Sequence, residues 1–336
     1  FALMTYEAIV AELKNKKYRP LYFLAGDEPF YIDKITQYIE HHVLEESERS
    51  FNQTILYGKE TDIDTVIGEA KRFPMMAPYQ IVIVKEAQHL KLTDELLAYA
   101  KNPQPTTILV FAYKGKKIDK RLKAGKYISA NHAYIETKKL YDNKIPDFVE
   151  VEMRHRGFSV SPKAAVILAE SIGNDLSRIF KEIEKLSIIL EEGAQITAEV
   201  IEKNIGISKD YNNFELQKAL ANRDVLKANT IVKQFSMDPK NHSMVATVSV
   251  LFGFFSKLLI YNVLKDKSQG NVAKELKINP FFVKDYSQAA QIYNVRRCTE
   301  IIAFLREYDL KSKGLDRGQS SEYDLMRELV FKITHC

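Results

Sequence analysis

The sequence predicts an α/β domain over residues 1–140, a small three-helix module over 141–208 and an all-helical domain over 209–336. Three observations carry that division. Up to about residue 140, short runs rich in β-branched and aromatic residues alternate with amphipathic stretches. After "ETKKLYDNKIP" the strand signal disappears, and from there on apolar residues recur only at helical spacing.

In the first domain the β-rich runs are 21–25, 53–57, 81–84, 107–111 and 133–135. Between them lie helix patterns at 31–43, at a segment opening with the capping sequence "TDID" on Thr61, and at "TDELLAYA", 93–100. Continuous apolar strands separated by helices imply a parallel sheet covered on both faces. In the second module, Ser161 and Pro162 are the N-cap and first residue of a helix. Gly173 and Asn174 mark a turn, Leu176, Ile179, Ile183 and Leu186 follow at helical spacing, and Thr197 caps a further short helix. From Tyr211 onward every pattern is helical. The stretch 244–264 is apolar around most of its circumference, which predicts a buried bundle helix; Ser249, Ser256 and Lys257 interrupt it, against a membrane anchor.

Composition excludes several classes of function. Cys298 and Cys336 make no disulfide framework and no C-x-x-C pair, and the seven histidines are scattered, so no metal site is expected. The formal charge of +5 arises from 49 basic and 44 acidic residues, a two-signed surface without the dense basic face of a dedicated nucleic-acid binder. The opening "FALMTYEAIVAELKNKK" carries neither a basic leader nor a small-residue cleavage site, and the expected compartment is the cytoplasm.

The segment "LYFLAGDEPFYIDK" has the frame of a phosphate-binding loop: an apolar run, a glycine and a helix start. A working loop, G-x-x-x-x-G-K-[ST], wraps phosphate in backbone N–H groups, meets its charge with the lysine and ligates magnesium through the hydroxyl. Counting from Gly26, those three positions hold Tyr31, Ile32 and Asp33. All three requirements fail. The strand that should end in Asp-Glu, "IVIVKEAQ", ends in Lys85-Glu86, and lysine cannot hold the metal. No cofactor is expected, and no catalytic site.

The segment "KRFPMMAPYQ", 71–80, carries Phe73, Met75, Met76 and Tyr79 around two prolines, Pro74 and Pro78. Loops are usually polar, the prolines hold this one partly extended, and exposed apolar clusters mark partner sites. The bland alternative is that these side chains cap the α/β core. Three further segments read as ordinary structure. The pattern at 271–291 resembles a helix-turn-helix, but Phe281, Phe282, Val283 and Tyr286 make its second helix too apolar for base reading and favour bundle packing. The run 113–126 is basic and expected to be a solvated loop. Asp309 and Lys311 lack the partners of a catalytic pocket and fit a salt-bridged role.

"LYFLAGDEPFYIDK", "GFSVSPKAAVILAESIGNDLSRIFKEIEKLSII", "FELQKALANRD", "KELKINPFFVKDYSQAA" and "LREYDLKSKG" resemble, in this order and spacing, the delta subunits of the bacterial DNA polymerase III clamp loader, within the AAA+ clamp-loader superfamily. The resemblance runs over residues 18–331. It implies an AAA+ first domain with a degenerate P-loop, a lid and a C-terminal collar. It also implies a function: a non-hydrolysing subunit that binds the ring-shaped sliding clamp and holds it open for loading on primed DNA. The implied clamp-binding plug is Phe73, Pro74, Met75 and Met76, where family members often present leucine and phenylalanine in place of the two methionines. The implied partners are the sliding clamp, the other clamp-loader subunits through the collar, and primer-template DNA within the assembly. Two other classes compete. An active ATPase with a divergent loop would depend on Lys34 and Glu86, and a stand-alone DNA-binding protein would use the 113–126 run with steep salt dependence.

Overall fold

The computed structural model describes residues 4–208, 210–239 and 242–336. They form two compact units, one ending at Leu140 and one beginning at Tyr141.

The first unit runs α1 (Tyr6–Lys14), β1 (Leu21–Gly26), α2 (Pro29–His42), α3 (Glu46–Asn52), β2 (Gln53–Tyr57) and α4 (Ile63–Ala70). It continues through β3 (Gln80–Lys85), α5 (Asp94–Lys101), β4 (Thr107–Lys114), α6 (Lys123–Asn131) and β5 (Ala133–Thr137). All five strands pair in parallel, in the order β2-β3-β4-β1-β5. Successive side chains of a strand point to opposite faces. Phe23, Val82, Val84, Leu109 and Phe111 therefore meet Val66, Leu96 and Ile128 of α4, α5 and α6 on one side. Tyr22, Leu24, Ile81, Ile83 and Val110 meet Ile9 of α1 and Ile32, Ile35 and Ile39 of α2 on the other. Each such buried aliphatic or aromatic side chain contributes about 1.5–3 kcal/mol relative to exposure. With both faces dry, the strands show no polar alternation, as the sequence led us to expect. The order also leaves β1 inside the sheet, between β4 and β5, and its end, Gly26, in the crevice at the carboxyl ends of the strands, where open α/β sheets place their ligands.

Some details differ from the sequence reading. The N-cap of α4 is Asp62, not Thr61: the Asp62 carboxylate accepts from Thr65 N at 2.8 Å and the helix starts one residue later. A carboxylate serves there because it also complements the helix N-terminus. Three helices, α1, α3 and α6, had no counterpart in the expected pattern. Polar α3, "ESERSFN", buries only Asn52 and so carries no apolar periodicity.

The second unit opens with α7 (Ile145–His155), a helix preceding those read from the sequence, then β6 (Ser159–Val160), α8 (Pro162–Ile172), α9 (Leu176–Ile189), β7 (Gln195–Ile196) and α10 (Ala198–Ile205). Strands do occur here, contrary to expectation, but β6 and β7 are two-residue segments paired in parallel and too short to leave a pattern. Ser161 and Thr197 cap α8 and α10 as read, accepting from Ala164 N and Val200 N. The rest is α11 (Asn213–Ala221), α12 (Val225–Met237), α13 (Met244–Val263), α14 (Gln269–Leu276), α15 (Val283–Ile292), α16 (Val295–Ser312) and α17 (Glu322–Thr334), around one apolar cluster from Leu216 to Ile333.

By length and composition α13 could cross a membrane. It instead buries Val248, Leu251, Phe254, Phe255 and Leu258 in that cluster, while Val245, Phe252, Ile260 and Val263 remain exposed. Phe282, Val283 and Tyr286 are also buried, so the helix-turn-helix-like pattern is bundle packing with Phe281 left at the surface.

Candidate functional site

Around Gly26 the backbone groups of the segment bond within the protein. Gly26 N donates to Lys116 O at 2.9 Å and Gly115 N to Gly26 O at 2.8 Å, an isolated antiparallel bridge across the crevice. Asp27 N donates to Thr137 O at 3.0 Å, and Phe30 N to the buried Glu28 Oε1 at 3.0 Å. The Thr137 hydroxyl donates toward Ala25 O and Glu28 O, at 3.2 and 2.9 Å. A phosphate loop works because its N–H groups aim at the ligand. Those of Gly26, Asp27 and Phe30 aim at protein oxygens. Gly26 itself is demanded by geometry: its φ is +132°, and a Cβ there would overlap the Thr137 backbone.

The three substituted positions each have a structural role. Tyr31 packs on Tyr6 with ring centroids 4.8 Å apart, Ile32 is fully buried, and Asp33 pairs with Lys114 Nζ at 2.6 Å. Lys34, one residue beyond, lies over the Phe30 ring at 5.8 Å. At the end of β3, Lys85 pairs with Glu40 at 3.1 Å and Glu86 with Lys59 at 3.3 Å. Among the described residues no cluster of His, Cys, Asp and Glu could hold a metal ion.

The loop between α4 and β3 is built differently. Its two ends are fixed: Tyr99 OH donates to Ala70 O at 3.3 Å, and Gln80 Nε2 donates to Glu69 O at 3.0 Å while Gln80 N donates to Thr106 O at 2.8 Å. On the exit side Ala77 and Tyr79 pack against the sheet, Tyr79 edge-on to Tyr18 at 5.3 Å. Burial pushes the Tyr18 phenol up from its ordinary value, with Tyr38 and Tyr79 adding to the shift. Between these anchors Phe73 is 75% exposed, Met75 60% and Met76 fully exposed. They do not cap the core. Met76 adopts φ +53°, a left-handed conformation that turns the chain at the tip.

What holds that tip is Asn52, at the end of α3 and 2% exposed. Its Oδ1 accepts from Met75 N at 2.6 Å, and its Nδ2 donates to Met75 O at 2.9 Å and to Glu48 O at 3.0 Å. The loop's backbone polar groups are thus met by a side chain, and no apolar group need turn inward. Beside Asn52 in sequence, Phe51 is 71% exposed. The sequence reading missed Asn52 and Phe51. The available signal was the acidic capping pattern Glu45 to Glu48, which starts α3.

The other singled-out groups are paired. In the basic run, Lys117 bonds Glu136 at 2.7 Å, Arg121 bonds Asp119 at 2.9 Å and Lys120 lies over the Tyr134 ring. The Lys117 bond holds the Glu136 carboxyl below its ordinary range. Asp309 and Lys311 do not meet each other: Asp309 pairs with Lys313 and Lys311 with Glu307, each at 2.7 Å.

Comparison with known proteins adds the following. Residues 22–138 match the family model "DNA polymerase III, delta subunit", and residues 210–327 match "DNA polymerase III delta subunit, C-terminal domain". The DNA polymerase III subunit delta of Bacillus subtilis is 25% identical over 331 residues, covering 94% of this chain and 95% of the relative. A solved structure, the Bacillus subtilis DNA clamp loader delta protein, superposes with a TM-score of 0.56 at 23% identity, covering 99% of this chain and all of that one. At that identity the superposition shows a shared fold.

Proposed function

The chain belongs to the DNA polymerase III delta subunit family, and we propose that within the clamp loader it grips the sliding clamp through the 73–76 loop. It holds the ring open or strained so that the clamp can be loaded on primed DNA, and it does not itself hydrolyse ATP. Such a wedge works only by binding the open ring better than the closed one, since equal affinity shifts no equilibrium.

The observation that supports the grip is the Asn52 clasp, which presents Phe73, Met75 and Met76 to solvent on a loop anchored at both ends. Methionine adapts to an apolar pocket, and a pre-ordered loop loses less entropy on docking. The self-bonded Gly26 loop supports the second half of the reading, because its N–H groups are already engaged.

Residues 141–208 serve as the lid and 209–336 as the collar that meets the other clamp-loader subunits. Val225 and Phe331, exposed beside a cleft of about 340 Å³ between α12 and α17, fit that second role, as does exposed Leu226. Primer-template DNA contacts the assembly mainly through its phosphates. A part in replication fits a cytoplasmic chain.

The test is binding of the purified chain, without nucleotide, to the sliding clamp of the same cell. Met75→Ala plus Met76→Ala should weaken it by about 2 kcal/mol or more with the fold intact, the cost typical of truncating a hot spot. A wild-type chain that ignored the clamp but hydrolysed ATP would overturn the reading.

A further inference from the structure

Inside the second unit lies a cavity of about 490 Å³, within the range of small-molecule sites. Its walls are largely apolar: Phe214 from α11, Val250 and Phe254 from α13, Ile278 and Phe282. Four charged side chains also line it, Glu170 from α8, Lys257 from α13, Asp285 from α15 and Lys277 just after α14. Glu170 Oε2 is buried and has no hydrogen-bond partner among the described residues. None of these groups belongs to the docking loop or to the phosphate loop.

The charge count decides what such a cavity accepts. Burial pushes the Glu170 carboxyl up to about 8 against the pull of Lys257, which favours the neutral acid near neutrality. Burial also lowers Lys257, and Glu170 opposes that shift. Asp285 is also raised, by burial first, with Lys218 and Lys284 only partly opposing the shift and Glu215 adding to it. Burial, with Glu170 and Asp285 adding to the effect, raises Tyr286, which stays a neutral phenol. Lys277 also lines the cavity and adds positive charge. With Glu170 favoured as the neutral acid, the cavity sets two amines, Lys257 and Lys277, against the one carboxylate of Asp285, and the acid has a hydrogen bond to donate. An anionic ligand completes that set, whereas a cationic one would add to the excess of amines over carboxylates.

We propose that this cavity binds a small monoanion with an apolar body, an aryl- or alkyl-carboxylate. Its carboxylate sits between the Lys257 ammonium and a hydrogen bond from the Glu170 carboxyl, and its body lies against Phe254 and Phe282. A carboxylic acid held neutral by an apolar site is a recognised donor to anionic oxygen. Binding takes up a proton on Glu170 in the fraction of molecules that lack it.

The test uses the full chain and three probes of matched shape: 3-phenylpropionate, its neutral amide and 3-phenylpropylamine, titrated by calorimetry near neutral pH. The propionate should bind at least tenfold tighter than the other two, and its affinity should fall about tenfold per pH unit above about 8. Glu170→Gln keeps an N–H donor, so it should retain binding near neutrality with a much shallower decline at higher pH. Lys257→Met should lose the preference for the propionate. Thermal unfolding of each variant checks the fold, and the wild-type comparison depends on no variant. The proposal fails if the amine binds best, if all three bind equally, if none binds at about 5 mM, or if Glu170→Gln keeps the wild-type pH dependence.

Discussion

The side-chain amide of Asn52 and the backbone of Met75 form a closed pair, with Met75 N donating to Oδ1 at 2.6 Å and Nδ2 donating to Met75 O at 2.9 Å. Two segments 23 residues apart are joined by it, and the exposed tip of the 71–80 loop takes its shape from a buried polar residue on a different helix.

Asn52→Ala should therefore weaken clamp binding by about tenfold without touching an apolar side chain of the loop. It leaves Met75 N–H and C=O without their partner, at a cost of about 1–3 kcal/mol to the loop's ordered state. Surface plasmon resonance against immobilised clamp reads the affinity, and hydrogen exchange at residues 73–76 reads the loosening. Unchanged affinity would mean that the loop needs no pre-ordering.

Gly26→Ala should destabilise the first unit by about 2 kcal/mol or more, because alanine is strained at that φ and its Cβ overlaps Thr137. Urea unfolding checks this. Alanine tolerated there with no loss would mean that Thr137 can move out of the loop.

Nucleotide should not bind saturably at this loop. Lys34→Ala should leave the chain's behaviour toward ATP unchanged, since Lys34 lies against Phe30. Equilibrium dialysis with ATP and magnesium, on wild type and variant, decides the matter: saturable binding lost in the variant would restore a phosphate-loop role.

Acid should selectively weaken the second unit through Glu215. Burial pushes its carboxyl up, but ion pairs to Lys163 of α8 at 2.7 Å and Lys227 of α12 at 2.6 Å outweigh that and leave it below its ordinary value. A carboxyl whose folded value lies below the unfolded one contributes stability above the unfolded value, near 4.3, and loses it as pH falls through the folded value. Glu215→Gln should thus cost about 2 kcal/mol near pH 7 and nothing near pH 2. A loss equal at both pH values would assign the effect to packing instead of charge.

Leu226→Ser plus Phe331→Ser should impair assembly with the other clamp-loader subunits while sparing clamp binding. Both side chains are exposed, so the folded chain itself should lose little. Size-exclusion chromatography of the reconstituted loader reads the first effect and clamp binding the second. Assembly at wild-type concentration would move the interface elsewhere.

Legible in the sequence alone were the α/β-then-helical division, the parallel sheet and the departure of residues 26–33 from the phosphate-loop pattern. Continuous apolar strands, caps at Ser161 and Thr197, and residue types at Tyr31, Ile32 and Asp33 are local properties that survive without tertiary context. It also marked Phe73, Met75 and Met76, since an apolar loop between prolines is anomalous by composition alone. Whether those side chains turn in or out was undetermined, because a loop's direction depends on which partner satisfies its backbone. Only the tertiary structure brings Asn52 under Met75, Thr137 and Lys116 into the phosphate loop, and Glu170 into one cavity with Lys257. Each of these joins polar groups distant in sequence. Hydrogen bonding and desolvation act through space and leave no periodicity along the chain.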